Sequence, residues 1–345
     1  MSATPTSVIR PRQSRATSAI CAAALAFALG GTLGSTLGGT CSALAADAYP
    51  SRPVTIIVPF AAGGSADVYA RLLAPHLQKA LGQPFIVDDR PGAGSIIGTE
   101  FVKNSPPDGY TLLLVSNTQT VNETLFKKKP FKLMSDFKAV APINSADLVL
   151  VTRPTLGVNS LADLIKLAKE KPGTLTFASS GPGTPYHMAG ELFKQMAGID
   201  MLHVPYKGSS AARIDVIGGH VDMMFDAPTT MKGFITSGKV KGLATTGTTK
   251  SDVLATLPTA ASVVPGYDAV IWLGVMAPKG TPDDIVATLN QTISDIVKDP
   301  KIQADWKEQG AEAVIMNPKQ FTDFMTADVI KWKKVVEISG ATPDQ

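Results

Sequence analysis

From residue 54 onward, short apolar runs alternate with stretches of helical periodicity almost without a break. Thr55–Phe60 reads as a strand and 66–81 as a helix, Phe85–Val87 as a strand and 95–104 as a helix. Thr111–Val115 and Leu148–Thr152 are further apolar runs, followed by a helix at Leu161–Lys169, a strand at Leu175–Ala178, a helix over 185–197 and a strand at Met201–Tyr206. Val221–Phe225 and Gly242–Thr245 read as strands, Ala269–Ala277 as a long apolar run, and Pro282–Val297 and Pro318–Val336 as helices. Strands that alternate with helix-length segments predict an α/β fold with mainly parallel sheets.

The first 45 residues stand outside this pattern. Arg10, Arg12 and Arg15 form a basic start, Ile20 to Leu29 is apolar but well short of the ~20 residues of a membrane span, and Ala43-Leu44-Ala45 is a small-x-small cleavage site. This reads as a secretory signal peptide over 1–45, cut before Ala46. A lipoprotein reading around Cys41 is weaker, because Thr40 is a poor residue before a lipidated cysteine. Cys21 and Cys41 are the only cysteines, so cleavage leaves no disulfide, thiolate metal site or cysteine nucleophile. The full chain has 32 Lys+Arg against 29 Asp+Glu; without the three leader arginines the balance is 29 of each. The basic character belongs to the leader and gives no argument for nucleic acid. A mature chain of about 300 residues is expected to split into two domains, soluble, since no later segment is long and apolar enough to span a membrane.

Three segments repeat one arrangement: strand, polar turn, helix. The first is Pro59-Phe60-Ala61-Ala62-Gly63-Gly64-Ser65-Ala66-Asp67. Its glycines let backbone N–H groups turn toward a bound group, and Ser65 is placed to cap the new helix. The second runs Ser116-Asn117-Thr118-Gln119-Thr120, and the third Ser179-Ser180-Gly181-Pro182-Gly183-Thr184-Pro185-Tyr186-His187, where Thr184 suits an N-cap and Pro185 the first helical position. A helix start presents free donors and a partial positive charge, which suits an anion. Each loop alone reads as an ordinary βα turn. Three together, beyond the carboxyl ends of strands, read as one site.

Other segments are more equivocal. Arg90-Pro91-Gly92-Ala93-Gly94-Ser95-Ile96-Ile97-Gly98 invites a dinucleotide reading, but its spacing is G-x-G-x-x-x-G and no acid follows at the required strand end; a tight turn beside the cleft fits better. Tyr206 and Lys207 end a strand and offer a ring, a hydroxyl and a charge, or a packing tyrosine and a surface lysine. Asp226 ends another strand, where it meets a ligand group or caps the helix from Thr229. His187 reads as a cleft hydrogen-bonder or a structural histidine. The G-x-S-x-G elbow, the phosphate loop G-x-x-x-x-G-K-[ST] and H-E-x-x-H are all missing, and His76, His187, His203 and His220 lack ligand-like spacing. No enzyme, metal or cofactor is therefore expected. An exported hydrolase or lyase using His187 and Asp226 is the distant alternative, since fold alone does not decide function.

Taken together, Tyr49-Pro50-Ser51-Arg52-Pro53-Val54, Val58-Pro59-Phe60 through Gly63-Gly64 to Asp67, Asp89-Arg90-Pro91-Gly92-Ala93-Gly94, Pro107-Asp108-Gly109-Tyr110-Thr111-Leu112-Leu113, Ala178-Ser179-Ser180-Gly181-Pro182-Gly183-Thr184, His203-Val204-Pro205-Tyr206-Lys207-Gly208 and Gly218-Gly219-His220-Val221-Asp222 resemble the extracytoplasmic solute receptors of tripartite tricarboxylate transporters. The resemblance implies a type II periplasmic binding protein, monomeric, with a hinged cleft between two lobes. Lobe 1 would be 46–148 with 271–345, and lobe 2 would be 149–270. It implies a small organic carboxylate as ligand (a dicarboxylate, an aromatic carboxylate or an amino acid), delivery to membrane transporter subunits or to a sensing partner, and no nucleic acid. The expected ligand-binding residues are Phe60, Ala61, Gly63, Gly64, Ser65, Asp67, Ser116, Asn117 and Thr118 from one lobe, with Ser179, Gly183, Thr184, His187, Tyr206, Lys207 and Asp226 from the other. The chain departs from the usual pattern at Ala62, where proline is common, at Ser95, where glycine is common, and over 251–262, where an arginine before Leu257-Pro258 and an acid at Ser262 are replaced.

Overall fold

A computed structural model describes residues 49–249 and 251–343. The leader, Cys21, Cys41 and the Ala45/Ala46 cleavage site lie outside the described residues. Among the described residues, eleven strands form two sheets. The first contains β1 (Val54–Val58), β2 (Phe85–Asp89), β3 (Thr111–Ser116), β4 (Phe137–Asp147), β10 (Val270–Pro278) and β11 (Ala311–Ala313), in the order β11-β4-β10-β3-β1-β2. The second contains β5 (Val149–Thr152), β6 (Thr176–Ser179), β7 (Leu202–Pro205), β8 (Met223–Asp226) and β9 (Lys241–Thr245), in the order β7-β6-β8-β5-β9. The helices are α1 (Ser65–Leu81), α2 (Ile96–Lys103), α3 (Asn117–Leu125), α4 (Leu133–Asp136), α5 (Leu161–Glu170), α6 (Pro185–Ala197), α7 (Ser209–Gly218), α8 (Pro228–Thr236), α9 (Asp283–Lys298), α10 (Pro300–Glu308) and α11 (Pro318–Ser339).

The central strands are apolar throughout because both faces of each sheet are covered. On β1, Val54, Ile56 and Val58 pack with Tyr69, Leu73 and Leu77 of α1 and Leu289 and Ile293 of α9, while Ile57 faces the other way, toward Val102, Leu113 and Phe321. In the second sheet Leu150, Phe177 and Phe225 pack with Leu164 and Phe193, while Val149, Ala178 and Met224 pack with Ala212, Val216 and Met231. Each such fully buried aliphatic or aromatic side chain contributes roughly 1.5–3 kcal/mol.

The sheets are mixed, which corrects the expectation of mainly parallel pairing. β1 pairs in parallel with β2 and β3, but β10 runs antiparallel to both β3 and β4, and β5 antiparallel to both β8 and β9. The reason is topological: β5 and β10 are the first strands after the chain changes sheets, and each inserts between strands running the other way. The missed strand, β4, explains itself. Pro142, Asn144 and Ser145 interrupt its apolar pattern, and proline is disfavoured in an inner strand. Register shifts against β10, between Leu273/Gly274 and Val275/Met276, absorb the misfit.

Two passages connect the sheets, at Leu148 and over 246–269. Thr246, fully buried, ties them together. Its hydroxyl accepts from the Leu148 N–H at 2.7 Å and donates to the Ala269 carbonyl, its own N–H donates to the Leu148 carbonyl at 2.9 Å, and its carbonyl accepts from the Ala269 N–H at 3.4 Å. Beside this knot stands Asp147, whose pKa rises from 3.8 to about 6 through burial, with Asp268 and Glu312 adding repulsion. The folded chain therefore binds this proton more tightly than the unfolded chain, and stability from this residue grows as pH falls from about 7 toward about 4. Asp147→Asn should flatten that rise: in urea unfolding, the variant's advantage over wild type at pH 7.5 should shrink at pH 4.5.

Candidate functional site

The loop 59–64 leaves β1 and delivers its chain to α1. Gly63 has φ +77, a conformation glycine adopts without strain, and its N–H donates to Asp67 Oδ2 at 2.8 Å. Asp67 Oδ1 accepts from Arg71 Nε at 2.5 Å. Asp67 thus staples its own loop, with both oxygens engaged. Gly64, not Ser65, is the N-cap of α1, so the Ser65 side chain is not spent on capping. Its hydroxyl lies 2.8 Å from the hydroxyl of Tyr186, across to an element of the second sheet.

Ser116 caps α3 in a capping box with Gln119. Thr118 is buried behind it, its hydroxyl accepting from Ser116 at 3.1 Å. Asn117 pairs with the backbone of β10 through Val270 O at 3.2 Å and the Trp272 N–H at 3.0 Å. It holds α3 to the sheet. Thr184 caps α6 with Pro185 at its first position, as the spacing predicts. Its hydroxyl donates to Gly181 O at 2.7 Å.

His187 is wholly buried. Its Nδ1 accepts the Gly183 N–H at 3.1 Å, and its ring stacks on His203 with centroids 4.0 Å apart. Burial first, then the neighbouring His203 and Lys194, hold its pKa well below the usual value, so the ring is neutral. Gly183 has φ +73, and a Cβ there would meet Asn122 Oδ1 at 2.6 Å. Ser179 lies 2.6 Å from His203 Nε2 and closes the turn by accepting from the Gly181 N–H at 3.1 Å. These residues shape the third loop from beneath.

Asp226 is also wholly buried, and its surroundings differ from both expectations. Arg213 of α7 donates to Asp226 Oδ2 from Nε at 3.1 Å and from Nη2 at 2.9 Å, while the Ala227 N–H donates to Oδ1 at 2.8 Å. Burial raises its pKa and Arg213 pulls it back. Both oxygens are engaged by protein donors, and Asp226 lines neither of the two cavities between the loops.

Two cavities lie between the loops. In the inner one, about 20 Å³ is open to the centre of a water molecule, above the roughly 10–15 Å³ that one ordered water needs. Its walls include Phe60, Ala61, Ile271 and Leu273, together with Ser65, Ser116, Ser180, Ser209 and Tyr186. Four helix starts therefore meet here: Gly64 and Ser65 of α1, Ser116 before α3, Pro185 and Tyr186 of α6, and Ser209 of α7. The outer one, about 360 Å³ on the same measure, shares Phe60 and Ser180 and is bounded by the 92–95 turn, Phe126, Tyr206 and Lys207. Tyr206 donates to Asp215, and Lys207 is exposed and makes no ion pair among the described residues. Ser95 has φ +77, which explains why glycine suits this position; its hydroxyl accepts from Gln119 at 3.1 Å and Asn122 at 3.3 Å.

Of the expected residues, Phe60, Ala61, Gly64, Ser65, Ser116, Tyr206 and Lys207 line a cavity. Gly63, Asp67, Asn117, Thr118, Ser179, Gly183, Thr184, His187 and Asp226 stand behind the walls and fix them. Sequence reading missed Tyr186, Ser180 and Ser209 as lining groups, Ile271 and Leu273 within the apolar run, and Arg213 as the partner of Asp226. Tyr186 was readable from its place in the first turn of α6; Arg213 carried no signal beyond the helix it sits on.

Two sheets flanked by helices, with helix N-termini facing a shared cleft, define the architecture of a solute-binding receptor. A model of the tripartite tricarboxylate transporter family receptor matches residues 69–340, and the chain belongs to this family. It is similar to BugT of Bordetella pertussis, 38% identical over 301 residues that cover 86% of this chain and 92% of that protein. Among solved structures it is similar to R. palustris Rpa4515 with adipate (33% identity, TM-score 0.83, 85% of this chain and 99% of that one). It is also similar to MatC of Rhodopseudomonas palustris with bound malate (28% identity, TM-score 0.78, 84% of this chain and all of that one, 100%).

The buried pair yields a direct test. Asp226→Ala strands the Arg213 charge and should cost about 3–5 kcal/mol in urea unfolding without ligand; a loss below about 1 kcal/mol would show that Arg213 finds water or another partner.

Proposed function

We propose that this chain is a periplasmic receptor that captures a small organic carboxylate between two lobes and delivers it to membrane transporter subunits. The observation that carries the reading is the meeting of four helix N-termini at the inner cavity. Each carries a partial positive charge contributing roughly 0.3–1 kcal/mol toward an anion, and the starts of α1 and α7 have no side-chain cap on their backbone donors. No charged side chain lines the inner cavity. A carboxylate oxygen, about the size of one water, suits the inner space, and the rest of the ligand would extend into the outer one. Binding of adipate and malate by two relatives is in keeping with such a ligand.

In this reading lobe 1 comprises 46–148 with 271–345 and lobe 2 comprises 149–270, the passages at Leu148 and 246–269 act as the hinge, and 1–45 is a leader removed on export. The receptor works as a monomer. Closure would bury the ligand and create the shape that a transporter recognises. Ser210 reaching Ala62 O at 3.1 Å and Gly208 packed on Ala61 are the contacts closure makes at the rim.

A thermal-shift screen of the mature protein against aliphatic, aromatic and amino-acid carboxylates tests the reading. A ligand at 100 times its Kd should add about 2.7 kcal/mol of stability, whereas a response only to neutral sugars or peptides would overturn it. Closure has its own test. Gly208 has φ 174, which any residue adopts, yet a Cβ there would sit 2.6 Å from that of Ala61. Gly208→Ala should therefore leave the ligand-free melting temperature nearly unchanged and weaken every carboxylate at least fivefold in calorimetry.

A further inference from the structure

We propose that the Ser65–Tyr186 hydrogen bond is a latch across the cleft, making Tyr186 a positioning residue that favours the closed receptor whichever carboxylate is bound. The inference rests on the two-lobed carboxylate-receptor reading above. Ser65 is the first residue of α1, beside the first sheet, and Tyr186 is the second residue of α6, beside the second. Their hydroxyl oxygens are 2.8 Å apart, and both residues are almost fully buried. The tyrosine ring belongs to the core of the second sheet, packed in the cluster with Leu150, Phe177 and Phe193. Only its hydroxyl crosses to the other side.

The hydroxyl is kept as a neutral O–H. Burial, followed by the nearby charge of Asp226, raises the phenol's pKa. Asp226 is in turn fixed by Arg213 and by the Ala227 N–H. Its negative charge draws the phenolic proton toward itself and leaves a lone pair of the tyrosine oxygen for the Ser65 O–H. The Arg213–Asp226 pair, which does not line the cavity, thus acts on the cleft through Tyr186. Arg213 Nη2 also reaches Ser209 Oγ at 3.4 Å, and that oxygen would lie 3.3 Å from a Cβ on Gly64, so the same cluster abuts the α1 start at a second point.

Ser65 and Tyr186 both line the inner cavity while bonded to each other. A ligand in that cavity and the latch can therefore exist together, and the latch adds to closure rather than competing with the ligand. The rim contact from Ser210 to Ala62 O is exposed and competes with water. The Ser65–Tyr186 bond is protected from that competition when closed, and opening would hydrate both hydroxyls. A bond of this kind should change the closed-to-open ratio about two- to tenfold.

The test combines Ser65→Ala, Tyr186→Phe and the double variant. Calorimetry with adipate and with malate as probes should show each single change weakening both probes by a common factor of about two to ten. The double variant should lose no more than the worse single, because both changes remove one bond. Small-angle scattering of each ligand-free variant should show a larger radius of gyration than wild type. Additive losses, a loss confined to one probe, or an unchanged radius would overturn the latch. If Tyr186→Phe does not fold, Ser65→Ala alone carries the scattering test. If wild type binds no carboxylate at all, the receptor reading fails while ligand-free scattering still decides the latch.

Discussion

The convergence of four helix starts on one cavity is the constraint on which the rest of the structure depends. Dipoles with like ends together repel one another, so α1, α3, α6 and α7 converge only because larger forces hold them. Sheets covered on both faces supply those forces, with Val54, Ile56 and Leu73 on one side of the cleft and Phe177, Phe193 and Phe225 on the other, all essentially buried. The cavity left where the helix starts meet is lined by serines at those starts and by the apolar Phe60, Ile271 and Leu273. A receptor can attract an anion in this way without any lysine or arginine lining the inner cavity.

The buried polar groups near the cleft follow from the same constraint. The loops between strand and helix leave backbone groups that no sheet satisfies, so side chains behind them take these groups up. Asp67 holds the Gly63 N–H, His187 the Gly183 N–H, Ser116 the Thr118 N–H and Thr184 the Gly181 carbonyl. Each uses a polar side chain where a core residue would have been more stabilising. The buried Arg213–Asp226 pair carries a desolvation cost, offset by two Arg213 N–H donors on Oδ2 and the Ala227 N–H on Oδ1. A rigid first turn on each helix is the return.

Much of this was legible in the sequence, and the failures have physical causes. Strands β1, β3 and β6 and helices α1, α6 and α11 stand within a few residues of where periodicity put them, because burial on both faces leaves unbroken apolar runs. Strand β4 was invisible because Pro142 and Asn144 break the pattern and bulges repair it in three dimensions. Antiparallel insertion of β5 and β10 is a matter of chain path, which local periodicity does not encode. At the site, the loops could be located but not the duty of each side chain. Asp67, His187 and Asp226 look like ligand groups in one dimension, and only their partners at Gly63, Gly183 and Arg213 show them to be supports. Ser65 was read as a cap, and the chain's use of Gly64 instead frees its hydroxyl for Tyr186.

The central claim is that helix ends, rather than a charged side chain, hold one carboxylate in the inner cavity. The most direct measurement is calorimetry of the mature protein with a carboxylate that binds, set against the primary amide of the same acid. The two share shape and one acceptor oxygen; the amide loses the charge and puts an NH2 donor where the second oxygen stood. If the account is right, the amide binds at least a hundredfold more weakly, and wild-type affinity for the acid falls only modestly between low and physiological salt because the site is buried. Equal binding of acid and amide would contradict it.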